Sequence, residues 1–375
     1  MKKVLFLIHD LGPGGAEKVL VNLVNNMDYT KFDVTVMTLF DCGANRQFLS
    51  PKVKYKTWCH KMVPGNSHLM KICSPKLLHK MIVREHYDVE VAYLEGPCAR
   101  VISGCQDKDT RLISWIHIEQ HTTRKAATSF RSISEATKCY NAFDKIVCVS
   151  ETVRADFESL LQISTPTEVL YNTNESEKIS GASKKPVTEV SFPPEEMKLV
   201  GVGKLLKNKG FDRILRITNR LVDEGYPIHT YILGDGPEKE NLLRYIEEKN
   251  LQKRVSFLGY QLNPYKYVSK CDLFLCASYA EGFSTAATEA LIVGTPVCTV
   301  EVSGMREMLG DNEYGVITAN DEESLYYGIQ QLLDNPQLLK HYRKQAVLRG
   351  SHFSTEETVK AVERSLLRLC GEANE

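Results

Sequence analysis

"DLFLCASYAEGFSTAATEALIVGTPVCTVE", residues 272–301, decides how the chain is read. It opens on an apolar run of strand length and crosses a loop of small and hydroxylated residues. A helical stretch rich in Ala, Leu and Glu follows, and a second apolar run closes it. Strand, helix, strand, with no hairpin turn between the strands, is the pattern of a parallel βαβ unit. Ser284 stands where a helix N-cap belongs, with its hydroxyl in reach of the first-turn amides. Glu281 precedes that cap and Glu289 lies inside the helix, eight positions further on. A capped surface helix accounts for the serine alone. A cradle for an anionic ligand uses the cap, the helix dipole and the polar loop together.

The same alternation runs outward in both directions. Before residue 172 the strand candidates are "KVLFLIH", "DVTVMTLF", "VKYKTW", "DVEVAYLE", "RLISWIH", "KIVCVS" and "TEVLYN". After residue 196 they are "KLVGVGK", "IHTYILGDG", "RVSFLG", "DLFLCAS", "PVCTVE" and "GVITA", with helical patterns between them. This predicts an α/β protein with two doubly wound parallel-sheet domains, at 1–172 and 197–351. Residues 173–196 are rich in Ser, Thr, Lys, Glu and Pro, and read as a linker too polar to order itself. Ser354-Thr355-Glu356-Glu357 is a capping box opening a C-terminal amphipathic helix within 352–375, expected to pack back on the first domain. Tandem open sheets place a ligand cleft at the strand C-termini, with the two domains facing each other across it.

Bulk properties exclude several classes. A length of 375 residues suits two domains, and 43% hydrophobic with 25% charged residues is ordinary for a globular chain. Lys plus Arg equals Asp plus Glu at 47 each, which argues against a nucleic-acid partner. No apolar run reaches the roughly 18 to 20 residues needed to span a bilayer. "MKKVLFLIHDLGPGG" has a basic start, but its apolar run, Val4 to Ile8, is too short for a signal peptide and reads as the first strand. Eleven cysteines, an odd number with no C-x-x-C pair, read as thiols in a reducing cytoplasm rather than disulfides or a metal site.

Three loops carry candidate chemistry. "HDLGPGGAEKVL" brings Gly14 and Gly15 to a helix start whose amides suit a phosphate or carboxylate. Glu17 stands where a dinucleotide fingerprint needs its third glycine, so NAD is not indicated. "VGVGKLLKNKGFDRIL" ends a strand at Lys204 and reaches a helix just after Lys209, two cations for a diphosphate. Opposite them stand Glu281, Gly282, Phe283, Ser284 and Thr285. Lysines plus a helix N-terminus make a diphosphate site without a metal. Asp107-Lys108-Asp109 imitates a metal-binding Asp-x-Asp motif but sits in a polar turn and reads as structural. Trp115 reads as core.

These segments resemble the retaining nucleotide-sugar glycosyltransferases of family 4, which have the GT-B fold. The resemblance covers nearly the whole chain: "GGAE", "WIH", "VSE", "VLYN", "VGVGKLLKNKG", "ILGDGPEK", "FLGY", the Glu-x7-Glu segment and "GTPV", in that order. It implies that Glu281 contacts donor-sugar hydroxyls and that Glu289 accepts from the ribose. Lys204 and Lys209 neutralise the diphosphate. His117 sits near the transferred sugar, Gly14 and Gly15 approach the donor phosphate or the acceptor, and Tyr260 lies where the base is held. The catalytic set implied is Glu281, His117 and Lys209, with no cofactor and no metal. Lys204 stands where many relatives have arginine, and Ser284-Thr285 where many have Gly-Leu. Both changes keep a phosphate-binding chemistry. The alternatives within the fold are a non-catalytic nucleotide-sugar or glycan-binding protein and a sugar-nucleotide epimerase.

The implied partners are a nucleotide-sugar donor and a glycan or polyprenyl-diphosphate-linked acceptor, in surface polysaccharide biosynthesis of the capsular or exopolysaccharide type. Residues 51–84 add a local feature, eight Lys or Arg and no Asp or Glu. A helix from about Ser74 to His86, with Leu77, Leu78, Met81 and Ile82 among Lys76, Lys80 and Arg84, is open to two readings, a helix packed on the first domain with a solvated basic face or a face that meets anionic lipid. The expected location is the cytoplasm, peripheral on the inner face of the plasma membrane.

Overall fold

Strands covered on both faces read as unbroken apolar runs, and Val4, Leu5, Phe6, Leu7 and Ile8 are all fully buried. A computed structural model describes residues 1–61 and 70–372. The first compact unit comprises Met1–Asn174 and the C-terminal stretch from Thr355; the second is Glu175–Ser354. The first unit holds strands β1 (Lys2–Ile8), β2 (Phe32–Phe40), β3 (Lys54–Cys59), β4 (Val89–Ala92), β5 (Arg111–Ile116), β6 (Lys145–Cys148) and β7 (Thr167–Val169). They form one sheet in the order β3-β2-β1-β4-β5-β6-β7. Register runs parallel throughout, Val4 facing Val34 on one side and Val89 on the other.

The second unit repeats the scheme with β8 (Met197–Val202), β9 (Ile228–Leu233), β10 (Val255–Gly259), β11 (Leu273–Cys276), β12 (Val297–Val300) and β13 (Val316–Thr318). Their order is β10-β9-β8-β11-β12-β13. Its core gathers Leu199, Ile214, Leu215, Ile232, Leu273 and Leu275 under the helices. Each unit is a Rossmann-like parallel sheet, and the fold is GT-B. In each sheet the chain winds outward to one side and then restarts beside its first strand. The reversal falls between β1 and β4 in one unit and between β8 and β11 in the other. Loops leaving the two strands diverge there and open a crevice at their C-terminal ends.

The segment read as an unstructured linker is ordered on the second unit. It carries a helix, Ser176–Ser183, with Ile179 buried. Asn263 Nδ2 donates to the Ala182 carbonyl at 2.9 Å and Ser269 Oγ to the Ser183 carbonyl at 3.1 Å. Tyr231 donates its hydroxyl to the Ser191 carbonyl and stacks against Phe192. Side-chain hydrogen bonds replace the apolar surface that the composition lacks. The C-terminal helix, Thr355–Leu369, buries Val359, Val362 and Leu366 in the first unit. Its Glu363 accepts the Asp28 backbone N–H at 2.6 Å.

The basic segment is structured in part, residues 62–69 lying outside those described. Lys54 pairs with Asp33 and Lys56 with Glu85, which spends two of its charges. The helix is shorter than expected, Pro75–Ile82, capped by Ser74. It stops because Val83 and Tyr87 are drawn into the core on the way to β4. Leu78 and Ile82 face the unit, while Ile72 and Leu77 stay exposed beside Lys76, Lys80 and Arg84.

Candidate active site

The crevice between β8 and β11 brings Lys209 and Glu281 together. Lys209 ends the short helical turn Lys207–Lys209, and Gly210 then takes φ +67° to start the helix Phe211–Asp223. A Cβ on Gly210 would lie 1.9 Å from the Ala277 carbonyl oxygen at the end of β11, so only glycine lets the two loops meet. Tyr279 N–H donates to the Asn208 carbonyl at 2.8 Å and ties the same loops again. As a result Lys209 Nζ lies 2.6 and 2.7 Å from the two Glu281 oxygens. Ser278 Oγ donates to the same carboxylate at 2.8 Å. The Glu281 side chain is 10% exposed and that of Lys209 28%. A carboxylate this buried is costly to leave without such partners. Lys204, leaving β8, is exposed, and its ammonium makes no ion pair among the described residues.

The helix Thr285–Ile292 faces that pair. Ser284 caps it as the spacing predicts, accepting from Ala287 N–H, and Thr288 Oγ1 donates back to the Ser284 carbonyl at 2.9 Å. The amides of Thr285 and Ala286 have no intrahelical acceptor. Glu289 is buried one turn on, and Tyr265 donates to its Oε1 at 3.4 Å. Phe283 is an anchor, buried edge-on against Phe353 at 6.0 Å. Gly304 (φ +77°) lets the next loop pass, since a Cβ there would meet the Phe283 ring at 2.7 Å. Tyr260, just beyond β10, is 58% exposed. Ser278, Gly210, Gly304 and Tyr265 escaped the sequence reading. Only the positive φ of the two glycines had any local signal, and it does not name the partner loop.

In the first unit the glycine loop lies among acidic side chains. Asp10 Oδ1 accepts the Gly12 N–H at 2.7 Å, and Oδ2 pairs with His9 Nδ1 at 2.7 Å. Gly14 caps the helix Gly15–Asn26 with no side chain, and Glu17 folds back over it. A Cβ on Gly14 would lie 2.1 Å from Glu17 Oε2. Asp10 and Glu17 thus both lie beside the loop that leads into the positive end of this helix.

His117 follows β5 in the same sheet. Its ring bonds the Tyr93 backbone and stands 4.8 Å from the Tyr93 ring, while Nε2 is buried with no hydrogen-bond partner among the described residues. Burial pushes its pKa down to about 3, so the imidazole is neutral. Glu95 Oε2 accepts the His117 N–H at 3.1 Å, and burial raises the Glu95 pKa. Trp115 is core, as expected. Asp107 pairs with His86 at 2.8 Å and accepts the Asp109 N–H, in a turn before β5 and so at the opposite end of the sheet from His117.

The neutral histidine has a measurable consequence. An unfolded histidine titrates near 6.5, so between about 6.5 and 3 the unfolded chain binds the extra proton. The stability is complete above 6.5 and falls with pH toward 3, by up to ~1.4 kcal/mol per unit. From pH 7 to pH 5 the wild type is expected to lose roughly 1–2 kcal/mol more than His117→Gln in urea unfolding. Equal losses in the two proteins would mean that His117 is not held neutral.

Comparison with known proteins settles the family. Residues 13–174 match the family described as Glycosyltransferase Family 4, and residues 186–349 match Glycosyl transferases group 1. The chain is a family 4 glycosyltransferase. An N-acetylgalactosamine-N,N'-diacetylbacillosaminyl-diphospho-undecaprenol 4-alpha-N-acetylgalactosaminyltransferase of Campylobacter jejuni is 29% identical over 99% of this chain and 100% of that one. Anabaena HepE, solved with UDP and glucose, superposes with a TM-score of 0.73 at 17% identity, covering 98% of this glycosyltransferase and 99% of HepE. Sucrose-phosphate synthase from Thermosynechococcus elongatus gives a TM-score of 0.79 at 16% identity, covering 98% and 99%. Among the described residues, no helix of this glycosyltransferase is long and apolar enough to cross a membrane.

Proposed function

We propose that this glycosyltransferase moves a sugar from a nucleoside-diphosphate sugar to a hydroxyl of a glycan or polyprenyl-diphosphate-linked acceptor, with retention of configuration and without a metal. The observation that carries the reading is the Lys209–Glu281 bracket at the β8/β11 reversal, beside the capped helix N-terminus. In the reaction the bond between the anomeric carbon and the diphosphate oxygen breaks, and its electrons leave with the diphosphate. The carbon becomes oxocarbenium-like. The acceptor oxygen bonds to it on the face being vacated, and the acceptor proton passes to the departing phosphate oxygen. The main task is therefore to hold negative charge on the diphosphate. Lys204, Lys209 and the amides of Thr285 and Ala286 supply fixed positive potential for it. Glu281 accepts from donor-sugar hydroxyls, Glu289 from the ribose, and His117 Nε2 from a sugar hydroxyl. Tyr260 offers its main chain to the base.

The C. jejuni relative is named for a lipid-diphosphate acceptor, which supports a place in surface polysaccharide or glycan assembly. Exposed Ile72 and Leu77 among Lys76, Lys80 and Arg84 support contact with the anionic inner face of the plasma membrane. One experiment covers both parts of the reading. The purified chain is incubated with UDP, GDP and ADP sugars in EDTA, with and without phosphatidylglycerol vesicles. It is expected to release sugar slowly from one donor, undiminished by the chelator, and to sediment with the vesicles at low salt. Sedimentation is expected to fall when Lys71, Lys76, Lys80 and Arg84 become Gln. Strict dependence on added manganese would overturn the metal-free reading. Equal sedimentation of the charge-depleted variant would remove the membrane contact.

A further inference from the structure

A parallel strand covered on both faces is expected to be apolar along its length, and β4 departs from that. Between the buried Val89 and Val91 it carries Glu90, whose side chain is only 2% exposed. A buried carboxylate is costly unless it is paired. Its partner is His79 of the helix Pro75–Ile82, with Nε2 lying 2.8 Å from Glu90 Oε2. The same ring makes a side-chain hydrogen bond with Cys105, which follows the helix Pro97–Ile102 on the way to β5. An imidazole nitrogen, a carboxylate oxygen and a thiol sulfur thus lie within 4.8 Å of one another.

The donors come from separate elements, and close packing joins them. A Cβ on Gly104 would lie 2.0 Å from the Pro75 carbonyl oxygen, so a glycine lets the loop bearing Cys105 seat against the start of the helix bearing His79. Thr110 Oγ1 donates to the Tyr87 carbonyl at 2.7 Å and ties the same loop to the approach of β4. No C-x-x-C spacing announces such a cluster, because only folding assembles it. Cys105 is partly exposed, so an ion can enter from solvent. Glu90 pairs in register with Leu112, five residues before His117. That separates the cluster by about 16 Å along the strand from the end of the sheet where His117 stands, and none of its groups has a task in sugar transfer.

The donor set names the ligand. Magnesium, calcium and manganese favour shells of oxygen, whereas a thiolate selects softer ions. Imidazole, thiolate and one carboxylate suit zinc, with water completing a tetrahedral shell. Charge agrees with this. Glu90 and a thiolate bring two negative charges to one place, and a divalent ion cancels both where an imidazolium cancels one. Zinc at about 2.0–2.3 Å from each donor spaces the donors roughly 3.4–3.6 Å apart. The His79–Glu90 contact therefore opens by about 0.6 Å and the sulfur closes in by at most about 1.2 Å. Both movements are within the reach of side-chain rotation.

We propose that His79, Glu90 and Cys105 form a zinc-binding site. The ion cross-links the helix Pro75–Ile82, the central strand β4 and the loop before β5. It fixes the helix that carries Leu77 with Lys76 and Lys80 to the sheet.

The test uses the full chain, untagged, stripped with EDTA and kept reduced, titrated with zinc and in parallel with cobalt. About one zinc per chain is expected by elemental mass spectrometry, with a Kd tighter than about 10 µM. Cobalt is expected to give the visible spectrum of a tetrahedral ion and a thiolate charge-transfer band in the near ultraviolet. Saturating zinc is expected to raise the melting temperature by several degrees. Cys105→Ser should abolish the charge-transfer band and weaken zinc binding by at least about 100-fold, and Glu90→Gln should weaken it by at least about tenfold. Cys370→Ser, which removes a partly exposed thiol elsewhere in the first unit, should bind both ions as the wild type does. Donor turnover is expected to be alike in the stripped and zinc-loaded proteins, so the chelator test of the metal-free reaction stands apart from this one. The wild-type measurements decide the matter even where a variant folds poorly. The proposal is overturned if zinc binds the wild type more weakly than about 10 µM, or if the cobalt complex lacks the thiolate band. It is overturned equally if either Cys105→Ser or Glu90→Gln binds zinc as tightly as the wild type.

Discussion

Glu281→Gln is expected to lower donor turnover by about 10- to 100-fold while leaving nucleoside-diphosphate affinity nearly unchanged. The glutamine keeps the shape and one hydrogen-bond acceptor. It loses the charge that makes a hydroxyl-to-carboxylate bond about twice as strong as a neutral one. Its present partners, Lys209 Nζ and Ser278 Oγ, lie on the loops that follow β8 and β11, so the loss falls on the sugar and on the order around it. Glu289→Ala should act differently. Glu289 is buried inside the helix, whereas Glu281 lies in the loop before it, and in the proposed reading Glu289 holds the ribose. Removing it should weaken nucleotide binding by roughly 1–3 kcal/mol. Calorimetry with the nucleoside diphosphate and initial rates with its sugar separate the two effects. If both variants weaken nucleotide binding alike, the division of labour between the two glutamates is wrong.

The sheets and their edges were legible because the signal is local. Each of the strands β1 to β13 falls within a strand candidate of the sequence, most of them apolar runs, though β3 (KYKTWC) and β7 (TEV) are largely polar, and Ser284 sits one residue before its helix. Lys204 could be placed at a strand end, Glu281 just before a helix and Glu289 inside it on the same grounds. What could not be read was the closure between distant loops. That Ser278 donates to Glu281, or that Gly210 must pass the Ala277 carbonyl, depends on the separation of β8 and β11 after they pair. The glycine loop shows the same limit. Gly12, Gly14 and Gly15 announce a loop that approaches something closely, but not that Asp10 and Glu17 fill the approach. The polar segment before β8 misled for a related reason. Composition measures the apolar area that a stretch brings, and Ser176–Ser183 is held by hydrogen bonds to side chains from elsewhere.

Lys209→Ala is expected to do the most damage, on the order of 100- to 1000-fold in turnover, because it removes a fixed cation from the leaving group's surroundings. It should also destabilise the second unit, since it strips a buried carboxylate of its ionic partner. Breaking a buried pair costs ~3–5 kcal/mol. Lys209 keeps some exposure, however, and Ser278 still donates to Glu281, so roughly 1–3 kcal/mol is the better expectation. The asymmetry of the pair supplies the control. Glu281→Gln leaves a lysine that can reach water, and should cost little stability. The double variant, Lys209→Ala with Glu281→Gln, should therefore recover most of the stability lost in Lys209→Ala and none of the activity. Lys209→Arg can engage the carboxylate through two parallel bonds, so it should restore stability while recovering only part of the rate. Stability comes from the charge pairing, whereas turnover needs the cation at one point beside the diphosphate. Recovery of both stability and turnover in the double variant would reduce Lys209 to a neutralising partner of Glu281, with no part in the transfer.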